Sequence, residues 1–171
     1  MRAISTILLL FFILSSKTVY SQNDFFGEIG LDPKMLVRGP YENADSALDL
    51  LVKFGIKKPK FEYNVYGEFF KATRFYSYGL GAMYPYTLIH ENETKIEIAA
   101  GADIGLISRP EYKVTRPTFS LNAELRLQIE DHFYIKYLAN YRYRSDLEEI
   151  YNSPDTFRYS GYFLLGYQFT L

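Results

Sequence analysis

Residues 119–129 read FSLNAELRLQI, and this stretch decides the fold. Its apolar residues occupy every second position, while the positions between them hold serine, asparagine, glutamate, arginine and glutamine. Successive side chains of a β-strand point to opposite faces, so a repeat of two residues indicates a strand rather than a helix. The stretch therefore predicts a strand with one apolar face and one polar or charged face.

The same alternation continues through most of the chain. It is regular at residues 48–56, 96–106, 119–129, 133–143 and 157–171, and less regular at 24–37, 61–70 and 75–88. Pro33 predicts a bulge or an early end of the first strand, because proline cannot donate to a sheet ladder. Residues 44–54 can also be interpreted as a helix that begins at Asn43 or Asp45. The strand interpretation gives eight strands, an even number.

The connections between these strands predict an antiparallel meander. Short connections lie at 57–60, 71–74, 90–94 and 130–132, and longer ones lie at 38–45, 108–116 and 145–156. Short turns of this kind join antiparallel strands, and the last of them requires a hairpin. Apart from 71–74, short and long connections alternate along the chain. The long connections are therefore expected at one end of the sheet.

The composition excludes several classes of protein. The 171 residues include no cysteine and no tryptophan, but 17 tyrosines and 14 phenylalanines. The absence of cysteine excludes a disulfide scaffold, a thiolate metal site and a cysteine nucleophile. A formal net charge of −1 gives no support to nucleic-acid binding by a basic surface. No repeat or linker divides the chain, so we expect one domain.

The first 21 residues have the pattern of a secretory signal peptide. Arg2 is followed by the apolar run ILLLFFIL at residues 7–14, and Val19 and Ser21 stand at the positions expected before a cleavage site. The apolar run is well short of the roughly 20 residues that a membrane-spanning helix needs, although an anchor helix is the alternative. We expect cleavage after Ser21, which leaves residues 22–171 as the mature domain.

The number of apolar side chains decides which face of the sheet points outward. Either a soluble barrel with its apolar face inside or a membrane barrel with that face outside would show this alternation. The eight strands place roughly forty apolar side chains on one face, whereas the packed interior of an eight-stranded barrel holds about a dozen. The apolar face is therefore expected to meet lipid, which among sheet structures only closed barrels tolerate.

The placement of aromatic residues supports a membrane barrel. In the last strand, Phe157 and Tyr159 lie at one end, and Tyr167 and Phe169 lie at the other. Amphipathic rings at both ends of the strands predict the two aromatic girdles of a membrane barrel. The alternative interpretation is the ordinary cross-strand aromatic pairing of a soluble sandwich.

The polar face of the strands carries both signs of charge. Its acidic members are Glu28, Asp49, Glu62, Glu68, Glu97, Asp103 and Glu124, and its basic members are Lys53, Lys95, Arg126, Lys136, Arg142 and Arg158. Unpaired charge would be costly in a narrow lumen, so these residues predict a structural network of ion pairs and hydrogen bonds. The alternative, a charged ring that selects permeant ions, requires a wider pore and an excess of one sign.

These features together resemble one family. The signal peptide, the eight strands and the ending GYQFTL at residues 166–171 resemble the small outer-membrane β-barrels of Gram-negative bacteria, OmpA/OmpX-like in size. The resemblance implies an outer-membrane location, a monomer, and an insertion signal at Gly166, Phe169 and Leu171 that the barrel assembly machinery recognises. The sequence departs from the pattern at Leu164, where a polar residue is frequent.

The sequence contains no catalytic constellation, cofactor motif or metal-ligand motif that we can identify. Some barrels of this architecture modify lipid A with a histidine near the outer rim, which makes a lipid A-modifying enzyme one candidate function. The family topology instead implies that His90 and His132 lie at periplasmic turns, and neither has a serine partner in the sequence pattern. A small pore is a second candidate, and a secreted lipocalin-like binder is a third. A structural, surface-interaction or envelope role is favoured, with any extracellular ligand at 38–45, 108–116 or the acidic segment 145–156.

Overall fold

The computed structural model of the chain describes residues 24–39, 45–91, 94–130 and 132–170. The predicted signal peptide, residues 1–21, lies outside the described residues, as does Leu171 of the predicted insertion signal. Within the described part, no helix has the length and hydropathy of a transmembrane helix.

The described chain forms a closed antiparallel barrel. Its strands are β1 (Asp24–Leu31), β2 (Asp49–Lys57), β3 (Glu62–Phe70), β4 (Phe75–Glu91), β5 (Thr94–Arg109), β6 (Val114–Gln128), β7 (Phe133–Tyr143) and β8 (Phe157–Thr170). Each strand pairs with the next in sequence, and β1 pairs with β8 to close the barrel. The predicted eight-stranded up-and-down fold is confirmed, including a strand rather than a helix at the start of β2.

Two short helices lie at one end of this barrel. They are α1 (Pro33–Arg38) between β1 and β2, and α2 (Ser145–Tyr151) between β7 and β8. We call this the helical end, and we call the opposite end, where β1 starts and β8 finishes, the terminal end. Both helices fall in segments that alternation alone assigned to strand or loop.

The first strand ends early because Asp32 caps a helix. Its carboxylate accepts hydrogen bonds from the backbone N–H of Lys34 at 2.8 Å and of Met35 at 3.4 Å. Pro33 occupies the first turn of α1, where its missing N–H costs nothing. The predicted strand to residue 37 is therefore wrong beyond Leu31, while the early end suggested by proline is confirmed.

The predicted long connection at 108–116 is wrong. Pairing continues to Arg109 and Val114, so a single 3₁₀ turn at Pro110–Tyr112 and one residue, Lys113, join β5 to β6. Lys113 adopts a left-handed conformation with φ of 56°. Proline at the start of this turn indicates a tight reversal as readily as a loop, which explains the incorrect prediction.

The two faces of the strands have the predicted chemistry. On β6, Leu125 is 52% exposed on the outer face, whereas its neighbour Arg126 is only 4% exposed inside the barrel. On β8, Leu165 is 64% exposed and its neighbour Leu164 is 1% exposed. The outer face is apolar along its length, and the inner face is mostly polar and charged.

Glycine allows large side chains to fill the lumen. Gly166 faces Tyr134 across the β7–β8 pair, and a β-carbon added to Gly166 would overlap the tyrosine ring. Leu164 similarly packs over Gly30 across the β1–β8 pair. These close approaches require residues without a side chain, because a methyl group already has no room.

Candidate functional site: the charged lumen and the helical end

Most of the charged residues on the polar face lie buried inside the barrel. The buried ones are Glu28, Asp49, Lys53, Glu62, Glu68, Glu97, Asp103, Glu124, Arg126, Lys136 and Arg142. Lys95 is half-buried at the terminal end. Arg158 is exposed at the helical end, where it pairs with Asp155 at 2.6 Å rather than with the luminal charges. Arg158 therefore does not belong to the buried network.

Arg126 organises the cluster nearest the terminal end. Its guanidinium donates to both carboxylate oxygens of Glu62, at 2.7 and 2.6 Å, and to Glu97 at 3.2 Å. Lys57 and Lys95 add ion pairs to Glu97 at 2.9 and 2.8 Å. A bidentate arginine–carboxylate pair fixes orientation as well as distance, so this cluster ties β3, β5 and β6 together across the lumen.

A lysine-centred cluster lies farther from the terminal end. The ammonium group of Lys136 is 2.6 Å from Glu28 and 3.0 Å from Glu124, and Lys53 is 3.4 Å from Glu124. The hydroxyl of Tyr134 donates to Glu28 at 2.7 Å. Lys53, Lys136 and Tyr134 thus contact the carboxylates of Glu28 and Glu124. These contacts join four strands, β1, β2, β6 and β7.

The third cluster lies toward the helical end. Arg142 is ion-paired with Glu68, and the hydroxyl of Tyr162 donates to Glu68 at 2.9 Å and to Asp49 at 3.4 Å. The guanidinium of Arg142 also lies over the ring of Tyr66, 5.9 Å from its centroid. Beside it, the lumen is filled by an apolar cluster of Leu51, Tyr66, Leu138, Tyr162 and Leu164.

Asp103 occupies a different part of the lumen. It lies beside Asn64 above Gly81, where a glycine leaves room for the carboxylate. Asp103 faces Ser120 across the β5–β6 pair, and both residues are buried. Asp103 is thus buried beside the glycine-rich wall formed by β4 and β5, and its Oδ1 has no hydrogen-bond partner within the described part of the chain.

The buried charges nearly cancel. The described chain buries nine acidic residues and five basic residues. Three further basic side chains, those of Lys57, Lys95 and Arg144, are 15%, 24% and 18% exposed and pair with these acids. Near-neutrality reduces the cost of removing so many charges from water, although a buried ion pair is weak evidence for net stabilisation.

A further cluster at the helical end was missed by the sequence interpretation. The carboxylate of Asp146, which is fully buried in α2, receives two hydrogen bonds of 2.8 Å from Arg144. Arg109 lies 3.6 Å from the same carboxylate, and Arg144 packs over the ring of Phe75. Arg109 and Asp146 belong to the predicted connections 108–116 and 145–156, so neither was assigned to the inner face of a strand.

Arg109 and Arg144 line an open cleft of 540 Å³ at the helical end, which we call the mouth cleft. Four of its lining residues are basic: Lys34, Arg109, Arg144 and Arg158. The other lining residues are neutral and include Phe70, Leu147, Tyr151 and Tyr159. The mouth cleft is thus bordered by α1, α2, β5 and β8.

The outer side of α2 is fastened to the β5–β6 turn. Arg116 forms a two-point ion pair with Glu149, and the hydroxyls of Tyr112 and Tyr151 are 3.1 Å apart. The hydrogen bonds from Arg116 lower the pKa of Glu149. At the other helix, burial raises the pKa of Asp32 despite its backbone hydrogen bonds.

The two histidines lie at the terminal end. His90 is exposed near the end of β4, and His132 is exposed in the β6–β7 turn with Nδ1 3.0 Å from the carbonyl oxygen of Gln168. Neither side chain approaches the mouth cleft. Among the residues that the structure describes, no group of three or more histidine, aspartate or glutamate side chains is placed to hold a metal ion.

The alternation of inward and outward positions could have identified several residues that the sequence interpretation left out. Tyr134 and Tyr162 lie two residues before Lys136 and Leu164 and therefore face inward as those residues do. The predicted network omitted both tyrosines because it included only charged residues. Lys57 lies four residues after Lys53 and therefore faces inward as well, but it was assigned to a predicted turn. Arg109 continues the inward positions of Asp103, and Arg144 continues those of Arg142, whereas Asp146, on α2, had no positional signal.

Comparisons with known proteins bear on the fold. No family model matches the chain, and no curated protein matches its sequence. The N-terminal β-barrel domain of Pseudomonas aeruginosa OprF matches with a TM-score of 0.51 and 11% identity, over 87% of this chain and 98% of that chain. Neisserial surface protein A matches with a TM-score of 0.52 and 12% identity, over 88% and 98%. The chain therefore has the closed eight-stranded antiparallel barrel fold of these outer-membrane proteins.

Proposed function

We propose that this protein is an integral outer-membrane barrel with a structural or surface-interaction role, and that its lumen does not conduct. The observation that supports this proposal is that apolar residues lie outside the barrel and charged residues lie inside, the reverse of a soluble protein. Apolar and aromatic side chains such as Leu165 and Tyr159 cover the outside, while ion pairs such as Arg126–Glu62 fill the inside. Exposure of such an apolar surface is unfavourable in water but favourable in the hydrocarbon core of a membrane.

The resemblance to outer-membrane barrels supports an orientation. In that family both chain termini lie in the periplasm, which would place the terminal end there and the helical end outside the cell. The surface offered to extracellular partners would then consist of α1, α2 and the segments beside them, residues 32–39, 45–48 and 144–156. The tight turn at 110–113 offers little additional surface.

Membrane insertion can be tested by heat-modifiable migration. The mature chain, residues 22–171, refolded into lipid vesicles should migrate differently in electrophoresis before and after boiling, and should remain with the membrane after alkaline extraction. A matched variant, Leu165→Arg, should fold less completely, because a cation in the lipid-facing middle of a strand costs about 2–4 kcal/mol. Recovery of the mature chain as a soluble monomer without detergent would refute the proposal.

A closed lumen can be tested separately. Planar bilayers that contain the folded protein should show a flat baseline under voltage, because Leu51, Leu138 and Tyr162 fill the lumen between charged clusters. A double variant, Leu138→Ala and Tyr162→Ala, serves as the positive comparison, since it removes much of this filling. Regular unitary conductance from the unaltered protein would contradict a closed barrel and would favour the small pore.

Insertion by the barrel assembly machinery is also part of the proposal. Phe169 lies on the outer face of β8 and stacks on Phe25 of β1, with ring centroids 5.8 Å apart. Phe169→Ser should therefore reduce assembly in cells more than the matched change Phe163→Ser, which lies outside the suggested signal of Gly166, Phe169 and Leu171. Equal loss of assembled protein in both variants would argue against a terminal signal.

The position of the histidines supports a non-enzymatic role. With His90 and His132 at the terminal end, neither would meet lipid A at the outer surface. Overexpression should therefore leave the mass spectrum of lipid A unchanged, and an added or missing acyl chain would favour a lipid A-modifying enzyme.

A further inference from the structure

The mouth cleft concentrates positive charge on a chain whose formal net charge is −1. Four of its lining residues are cationic, and two carboxylates, those of Asp146 and Asp155, form ion pairs with them. The local sum of these six side chains is +2. Positive charge gathered in a concave site attracts anions more strongly than the same charge spread over a surface.

Arg109 has capacity for a further partner. It is only 4% exposed, and its contacts to Asp146 at 3.6 Å and to the hydroxyl of Tyr151 at 3.5 Å lie at the long limit for hydrogen bonds. Its Nε–H donor has no hydrogen-bond partner within the described part of the chain. By contrast, Arg144 is fully engaged through two hydrogen bonds of 2.8 Å to Asp146.

The cleft is held in place before any ligand arrives. Asp146 fixes one side of α2 toward Arg109 and Arg144, while the Arg116–Glu149 ion pair fixes its other side. A rigid site loses less conformational entropy when it binds than a mobile loop does. The exposed ring of Tyr151 adds a flat surface of the kind that packs against a polar ring such as a sugar.

We propose that the mouth cleft binds a phosphate monoester, with the guanidinium groups of Arg109 and Arg158 and the ammonium group of Lys34 as donors. Arginine matches the geometry of phosphate through paired N–H groups, and the neighbouring ring of Tyr151 suits a sugar that carries the phosphate. The phosphate belongs either to a soluble sugar phosphate or to a lipid headgroup of the surrounding leaflet. This proposal goes beyond the barrel's role as a membrane protein and relies on it only for the lipid source.

Nuclear magnetic resonance of the folded full-length mature protein in micelles tests binding directly. Arginine labelled with ¹⁵N reports each Nε–H group during titration with glucose 6-phosphate, and glucose serves as the uncharged comparison. We expect the Nε–H signals of Arg109 and Arg158 to shift in a saturable manner with glucose 6-phosphate and to remain in place with glucose. The absence of saturable shifts with glucose 6-phosphate would overturn the proposal.

Variants distinguish binding in the mouth cleft from non-specific attraction of anions to the protein surface. Arg158→Gln and Lys34→Gln remove exposed cations of the cleft, and each should weaken binding by roughly three- to tenfold, the loss expected for one solvent-exposed hydrogen bond. Lys71→Gln removes an exposed cation at the same end but outside the cleft, and should leave the dissociation constant unchanged. Equal weakening in all three variants would contradict a localised site.

The source of the phosphate is resolved in lipid nanodiscs. Shifts of Arg109 on addition of phosphatidic acid to a phosphatidylcholine nanodisc would assign the lipid headgroup, whereas shifts with glucose 6-phosphate alone would assign the soluble ligand. Heat-modifiable migration of each variant shows that the barrel is intact. If the unaltered protein forms an intact barrel but does not bind glucose 6-phosphate, the cleft proposal is refuted while the membrane role is not.

Discussion

Leu164 and Leu165 are adjacent in β8, yet they occupy opposite environments. Leu164 is buried in the lumen above Gly30, and Leu165 points outward from the middle of the strand. The same residue type thus packs against protein in one position and faces the surroundings of the barrel in the next. The comparison teaches that stability in this fold depends on the inner face, where both packing and charge pairing are concentrated, while the outer face needs only to be apolar.

The largest effect on stability is expected when a luminal charge is removed. Arg126→Met leaves Glu62 buried without its main partner and removes one of the three cations paired with Glu97, and breaking a buried ion pair typically costs about 3–5 kcal/mol. We expect that loss in the free energy of unfolding, measured by urea denaturation in lipid vesicles. Lys95→Met, a matched change in the half-buried part of the cluster, should cost much less.

A second change shows whether the cost comes from unpaired charge. Adding Glu62→Gln to Arg126→Met should recover part of the lost stability, because it removes the carboxylate that the first change leaves with Lys57 alone at 3.3 Å. If the double variant is less stable than Arg126→Met alone, the ion pair of Glu62 with Lys57 matters more than the removal of the poorly paired charge.

The leucine pair gives the next largest contrast. Leu164→Ala should reduce the free energy of unfolding by about 2–4 kcal/mol, because it opens a cavity beside Tyr162 and Leu138. Leu165→Ala should cost less than about 1 kcal/mol, since lipid can fill the space that the side chain leaves. Equal losses at the two positions in the same vesicles would contradict the assignment of the faces.

A smaller effect is expected where glycine meets tyrosine. Gly166→Ala places a methyl group against the ring of Tyr134, and such overpacking typically costs about 1–3 kcal/mol. The change should cost less when Tyr134 is also replaced by leucine, which has no ring at that position. Additive losses in the double variant would show that the ring contact is unimportant.

The smallest effect is expected on the outside of α2. Glu149 has a lowered pKa in the folded protein, so its pair with Arg116 stabilises α2 above the carboxyl group's unfolded pKa and is lost as the pH falls through its folded pKa. The protection factors of amides 145–151, which correct for the intrinsic slowing of hydrogen exchange in acid, should therefore fall on acidification, with no measurable change in global stability, because the pair is exposed. The variant Glu149→Gln should abolish this pH dependence.

Alternation predicts the barrel because every strand has to satisfy two opposite environments. In β6 and β8 that requirement extends over the whole strand, so even the departure at Leu164 leaves the pattern intact. At the helical end no such requirement acts. Asp32 ends β1 through hydrogen bonds to two backbone amides, and Asp146 is buried by a helix of only seven residues. Such local capping and packing have no period, and the mouth cleft therefore could not be predicted.

The most direct test of the account uses two neighbouring positions of β8. Tyr162 is fully buried in the lumen and Phe163 is 56% exposed on the outer face. The chain contains no tryptophan, so Tyr162→Trp and Phe163→Trp each introduce a single fluorophore. In vesicles of brominated lipid, the account predicts strong quenching of the tryptophan at 163 and weak quenching at 162. Stronger quenching at 162 than at 163 would contradict an apolar face turned toward lipid.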